Sequence, residues 1–160
     1  MIEPLRLAGH GIALSGSLPI ARMRRLAGQL CDDAGEAGAR LRFERRADGS
    51  RTLQGQVSAG LRIRCQRCLE PMEINIDTPI RLRLVSDPSG PAGSPDFDDL
   101  PVGTEPLSLV TLIEDELLLA LPIAPMHEPR HCAKIPGFFD APPAATRNPF
   151  TALAKLRRPT

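Results

Sequence analysis

The sequence predicts an α+β fold: an antiparallel β-sheet meander packed by two or three helices, with a mobile acidic loop and a linked C-terminal helix. Three observations predict it. Apolar residues alternate with polar ones on both sides of a Cys-x-x-Cys turn, which is the period of strands with one buried face. Two stretches, near residues 21–31 and 109–121, repeat apolar residues at three- and four-residue steps, the period of a helix with one buried stripe. The chain has 160 residues, enough for one domain with an ordered core and a tail.

Taken in order, residues Gly11 to Pro19 suggest a short strand, Ile12-Ala13-Leu14 then Ser17-Leu18. A helix is predicted over Ala21 to Leu30. Met23, Leu26, Ala27 and Leu30 form its apolar stripe, with Arg22, Arg24 and Arg25 outside it. Gly35 and Gly38 end this region. The sheet is expected from residue 39 to residue 85. Leu41 and Phe43 alternate with Arg42 and Glu44, and Asp48-Gly49 supplies a hairpin turn. Leu53, Val57, Ala59, Leu61 and Ile63 then fall on odd positions, and Met72, Ile74, Ile76, Ile80, Leu82 and Leu84 on even ones. Pro79 lacks an amide donor, so its strand should lie at an edge or carry a break there.

Residues 86 to 105 are rich in Pro, Gly, Ser and Asp and read as a mobile acidic loop. Leu109, Leu112, Ile113, Glu116, Leu117, Ala120 and Leu121 follow helical spacing, with Ser108 as cap and Pro122 as stop. Glu114 and Asp115 fall mainly on the solvent side of that helix, which argues against a catalytic acidic cluster. Residues 1–132 are thus expected to form one α+β domain. Residues 133–160 supply a Pro- and Ala-rich linker and a basic helix from Asn148 to Leu156.

Composition narrows the function classes. Trp and Tyr are absent and aromatics are 3% of the chain, which excludes the usual base-stacking platform of RNA-binding sheets. There is no apolar run of about 18 residues, so no membrane span is expected. The first residues lack the basic and apolar regions of a secretory leader, so a cytoplasmic location is expected. No Gly-x-Ser-x-Gly, Walker or dinucleotide-binding motif is present, so the sequence offers no enzyme signature. Charge is segregated. Residues 1–84 hold 14 Arg against 9 acids, residues 85–128 hold 9 acids and no base, and residues 129–160 hold 6 bases against one acid. Basic ends of this kind suit phosphate contact. The candidates are Arg22, Arg24, Arg25, Arg62, Arg64, Arg67, Arg157 and Arg158, contacting backbone rather than reading bases.

Cys65-Gln66-Arg67-Cys68 is the first chemical candidate, because a two-residue spacer lets both thiolates face one zinc ion. A second half-site lies at His127 to Cys132, where His127 and Cys132 complete a Cys3His set. His131 is a substitute for either; adjacent residues seldom ligate one ion together. Packing of buried thiols and a redox Cys-x-x-Cys are the alternatives. Cys31, at the end of the first predicted helix, reads as packing.

Four segments together resemble a known family. They are Cys65 to Cys68, Ile113-Glu114-Asp115-Glu116-Leu117 through Pro122, His127 to Cys132, and Asn148-Pro149-Phe150 through Lys155-Leu156. They are similar, in this order, to the YceD family, the bacterial large ribosomal RNA subunit accumulation proteins, in its proteobacterial form. The resemblance implies a role in accumulation of 23S ribosomal RNA and no enzymatic activity. It also implies ribosomal RNA, an assembly intermediate or ribosomal proteins as partners, with no membrane and no small-molecule substrate. Other branches of that family carry more cysteines after the helix, which implies a metal-site ancestry for the 127–132 segment. On this reading Arg62, Arg64, Arg67, Phe150, Lys155, Arg157 and Arg158 contact RNA or a partner. Phe150, Leu153 and Leu156 fall on one stripe of the terminal helix. The rival readings are a zinc-binding interaction adaptor without RNA contact and a thiol redox protein.

Overall fold

Period-two alternation organises the structure, a computed structural model that describes residues 1–87, 95–103, 105–128 and 131–132. Its strands are β1 (Ala13–Pro19), β2 (Glu36–Arg45), β3 (Arg51–Arg64), β4 (Pro71–Val85) and β5 (Asp98–Pro101). They form one sheet in sequence order, antiparallel from β1 to β4, with the short β5 parallel to the end of β4. Leu41, Phe43, Leu53, Val57, Leu61, Ile63, Ile80, Leu82 and Leu84 are buried on one face, as the alternation predicts. The α+β class and the meander expected from the sequence are therefore the observed ones.

Three α-helices among the described residues accompany this sheet: α1 (Pro4–Gly9), α2 (Arg24–Ala27) and α3 (Leu109–Ala120). The helix α3 is the one the sequence specifies fully. Ser108 Oγ accepts from the Thr111 amide at 3.2 Å, and Leu112, Ile113 and Leu117 are buried against the sheet. Burying each such side chain contributes roughly 1.5–3 kcal/mol. Leu121 turns extended before Pro122, whose ring disfavours helical backbone in the residue before it. No helix among the described residues is long and apolar enough to cross a membrane.

The helix predicted over 21–30 is much shorter. Ile20–Arg22 form a 3-10 turn and α2 is a single turn, separated from it by Met23 in a non-helical conformation. Met23 and Leu26 are nevertheless fully buried, and Ala27 and Leu30 half-buried, so these apolar residues face the core without a continuous helix. No side chain of its own caps α2.

That cap comes from α3. Glu114, expected toward solvent, is only 6% exposed, and its Oε1 accepts from the amides of Arg25 at 2.6 Å and Leu26 at 3.1 Å. Its Oε2 accepts from Arg25 Nε at 3.0 Å and Nη2 at 2.8 Å. The carboxylate thus satisfies the orphan donors of a helix 88 and 89 residues away in sequence. Asp115 joins through Arg25 Nη1 at 2.6 Å.

Residues 86–105, expected to be loop throughout, contain β5, which pairs Asp98 to Pro101 with Leu82 to Val85. Arg83 holds Asp99 there through two contacts of 2.6 Å, so strand pairing is supported by an ion pair. Pro79 stands opposite Gln56 of β3 and lies outside the part of β4 that β5 covers, consistent with the edge position its missing amide demands. Gly55 marks the tightest approach in the sheet: a Cβ there would lie 2.0 Å from the Arg40 carbonyl oxygen. The predicted linker and terminal helix, 133–160, lie outside the described residues.

Burial pushes the Glu114 carboxyl up, but the Leu26 amide, the Arg25 side chain and the Arg25 amide outweigh it and hold it below its ordinary value of 4.5. A lowered carboxyl adds stability above its unfolded value, and that stability is lost as pH falls through the folded one. Glu114→Gln should therefore cost about 1–3 kcal/mol at neutral pH, where it leaves buried amides poorly paired. The gap to wild type should close on acidification below 4.5. Urea unfolding at several pH values measures this, and a pH-independent gap would contradict it.

Candidate metal centre

The hairpin between β3 and β4 closes on Arg64 opposite Pro71, leaving Cys65 to Glu70 as the turn. Within it the Leu69 amide donates to the Cys65 carbonyl at 3.0 Å, and the Cys65 amide to the Glu70 carbonyl at 3.0 Å. Leu69 takes φ 65°, the left-handed region, and is the one described residue other than glycine to do so. A side chain in that region costs roughly 1–2 kcal/mol, and Leu69 is 60% exposed, so packing does not repay it. The turn geometry does. It aims the Arg67 amide at Cys65 Sγ, 3.4 Å away.

The segment leaving α3 comes back over this turn. Gln66 donates its amide to the Pro125 carbonyl at 2.8 Å, and the His127 amide reaches Cys65 Sγ at 3.4 Å. The chain then turns on Glu128, whose carbonyl accepts from the amides of His131 at 2.9 Å and Cys132 at 3.1 Å. That turn decides between the two histidines of the segment. Cys65, Cys68, His127 and Cys132 bring their ligand atoms within 4.8 Å of one another. His131 instead points outward, 74% exposed at its side chain, with Nδ1 3.8 Å from Glu128.

The distances suit one metal ion. Cys65 Sγ lies 3.9 Å from Cys132 Sγ, and Cys68 Sγ 3.3 Å from His127 Nδ1. A tetrahedral ion with metal–sulfur bonds of about 2.3 Å needs sulfurs about 3.8 Å apart and a sulfur and nitrogen about 3.6 Å apart. Three sulfurs and one imidazole nitrogen also make a closed set with no position left for substrate. The four residues could hold a metal ion, and they would hold it structurally.

The electrostatics divide the four ligands. Burial pushes the Cys65 thiol up, but the amides of Cys68, His127 and Arg67 and a hydrogen bond from Cys68 bring it down to about 5. The Cys68 thiol is lowered chiefly by the Glu70 amide, against its burial. Cys132 goes the other way, to about 11, through burial and then the neighbouring Cys68 and Cys65. The His127 imidazole is raised by its contacts with Cys68 and Cys65. Cys65 and Cys68 thus favour thiolate, while Cys132 and His127 hold their protons, which a bound metal ion would displace.

The other sequence candidates lie elsewhere. Cys31 is outside the cluster and donates its amide to the Arg62 carbonyl at 2.7 Å. Arg62 is paired with Asp32 at 2.7 Å, and Arg67 Nη2 stands 3.7 Å from Met126 Sδ. Arg64 is exposed beside the turn, and Arg25 is engaged by Glu114 and Asp115. Phe150, Lys155, Arg157 and Arg158 lie outside the described residues. Sequence reasoning missed Leu69, because only a backbone angle reveals it.

Fold and site together define a small α+β protein in which two thiols of the sheet hairpin meet a thiol and an imidazole of the segment after α3, a group that could hold a metal ion. Comparison with known proteins then supplies the family. A model described as "Large ribosomal RNA subunit accumulation protein YceD" matches residues 53–157, so the chain belongs to the YceD family. Among curated relatives, the large ribosomal RNA subunit accumulation protein YceD of Haemophilus influenzae is 28% identical over 170 residues, spanning 98% of this chain and 94% of that protein. No solved structure matches the chain.

The strained Leu69 gives a direct check on the turn. Leu69→Gly should not destabilise the protein and should raise stability by up to about 1 kcal/mol, the left-handed penalty less the entropy glycine adds to the unfolded chain. Leu69→Val should lower it. Urea midpoints of the two variants measure this, and a destabilised glycine variant would show that the leucine side chain supports the turn.

Proposed function

We propose that the chain promotes accumulation of large-subunit (23S) ribosomal RNA in the cytoplasm, as a non-catalytic factor that binds the RNA or an assembly intermediate. Family membership over residues 53–157 is the observation that carries this reading. The chemistry of the site agrees with it. A closed Cys3His set leaves no open coordination position for a reaction, which favours a binding role.

The ion best suited to this set is zinc, which takes thiolate and imidazole ligands without redox change. Cys65, Cys68, His127 and Cys132 would hold it and so fasten the segment after α3 to the β3–β4 hairpin. Arg62, Arg64 and Arg67 lie on or beside that hairpin. With Phe150, Lys155, Arg157 and Arg158 of the tail they are the proposed contacts to RNA or to ribosomal proteins. An adaptor that meets only proteins is the competing reading, favoured by the exposed apolar side chains of Leu69 and Met126 near the turn.

Ultraviolet crosslinking in growing cells separates the two. Binding predicts covalent adducts enriched in large-subunit ribosomal RNA. Co-sedimentation with pre-50S particles without any RNA adduct would favour the adaptor. Mass spectrometry of protein purified without chelators should find one zinc per chain, lost in Cys68→Ser. Metal-free protein with wild-type stability would overturn the zinc assignment.

A further inference from the structure

The sheet has a second face, and its residues are not those the core uses. Along β2 and β3 the even positions, and along β4 the odd ones, alternate with the buried residues and are largely exposed. The register builds rows across this face. Arg42 of β2, Gln54 of β3 and Arg81 of β4 stand side by side, and Ser15 of β1, Arg40 and Gln56 form the next row. Strands about 4.8 Å apart and a two-residue step of about 6.8 Å place the Cα atoms of the three arginines within about 12 Å of one another.

Arg40 and Arg81 have no acidic partner among the described residues, and Arg42 pairs with Glu44 beside it. Beside Arg40 the face sinks into a shallow depression of about 350 Å³, lined by Ser15, Gly16, Gly38, Gln56 and Ser58. The side chains there are neutral or positive and carry hydroxyl and amide donors, while the two glycines leave the floor open. At the other end the face is closed. Thr52 is buried, Arg83 clasps Asp99, and Arg46 lies 5.0 Å over the Phe97 ring. Positive charge without an acidic partner among the described residues therefore stands at Arg40 and Arg81, with Arg42, shared with Glu44, in the row of Arg81.

We infer that this open face, centred on Arg40, Arg42 and Arg81 with the depression beside Arg40, seats the sugar–phosphate backbone of RNA. The inference rests on the RNA-binding reading above and names the surface that performs it. Guanidinium forks and neutral donors match phosphate oxygens, and the carboxylates of this face, Glu44 on Arg42, Asp77 opposite Ser58 and Glu73 opposite Arg62, lie outside its two central rows. The face presents no aromatic or large aliphatic side chain from its central rows, so it offers an apolar peptide nothing to bury and a base nothing to stack on. The chain's own tail is a poor occupant. Residues 129–160 carry six bases against one acid and would be repelled. Arg62 and Arg64 continue the face along β3 to the Cys65 turn, joining it to the contacts already proposed.

The test uses the full chain and a transcript of large-subunit ribosomal RNA, with binding measured from low to high salt. Each lost phosphate contact removes about 0.7–0.9 from the slope of log affinity against log salt. The triple variant Arg40→Gln, Arg42→Gln, Arg81→Gln should lower that slope by about 2–3 and weaken binding by at least roughly tenfold. A control triple on the opposite side of the sheet and at the amino end, Arg6→Gln, Arg45→Gln, Arg51→Gln, should bind like wild type. Equal urea midpoints establish that each variant is folded, and photocrosslinked peptides of the wild-type complex, expected from β2 to β4, locate the contact without any variant. If wild type binds and the face variant binds equally, or the control loses as much, the inference falls and RNA binding stands. If wild type shows no salt-dependent binding, both fall.

Discussion

The buried carboxylate of Glu114 ties the helical layer together. The helix α2 is one turn long and has no cap of its own, and short helices are not stable by themselves. Glu114 supplies two acceptors to its orphan amides and a charge partner to Arg25. That contact fixes the roll of α3 on the sheet, and so the direction in which the chain leaves at Leu121. The site depends on this direction. Residues 125–128 and 131–132 reach the β3–β4 turn because α3 delivers them there.

At the turn the controlling group is Cys65 Sγ. It is fully buried, and burial alone would keep it a neutral thiol. The amides converging on it reverse that preference. Two of those donors come from the turn itself and one from the returning segment, so the sulfur joins both halves of the site before any ion is considered. A metal would add to a contact already built. The left-handed Leu69 is the strained element that makes the turn possible, and strain of this kind persists where surrounding structure over-determines it.

How much of this was legible in the sequence follows the reach of each signal. The strands β2, β3 and β4 were readable because alternation is local, and α3 because its cap, stripe and stop lie within 15 residues from Ser108 to Pro122. The four-residue β5 was not, since its acidic residues resemble loop and its pairing with Leu82 to Val85 is set by β4. The six-residue α1 is too short to show a period. Glu114 was assigned to the wrong side because its partner, Arg25, is 89 residues away. The spacing pointed to Cys65, Cys68, His127 and Cys132 with His131 as a substitute, and the turn at Glu128 leaves His131 outside the cluster. The open sheet face was present in the same alternation that revealed the core, in the polar half of the pattern.

Two surfaces thus divide the work. The buried face and Glu114 build the fold, while the open face and the hairpin are the proposed contact surface for RNA. Family membership supports the proposed role in binding. Its most direct test is the ratio of 23S to 16S ribosomal RNA, with sucrose-gradient profiles, after depletion of the protein from its host. The account predicts a fall in that ratio and in 50S subunits, restored by the wild-type chain. An unchanged ratio with normal 50S levels would contradict it.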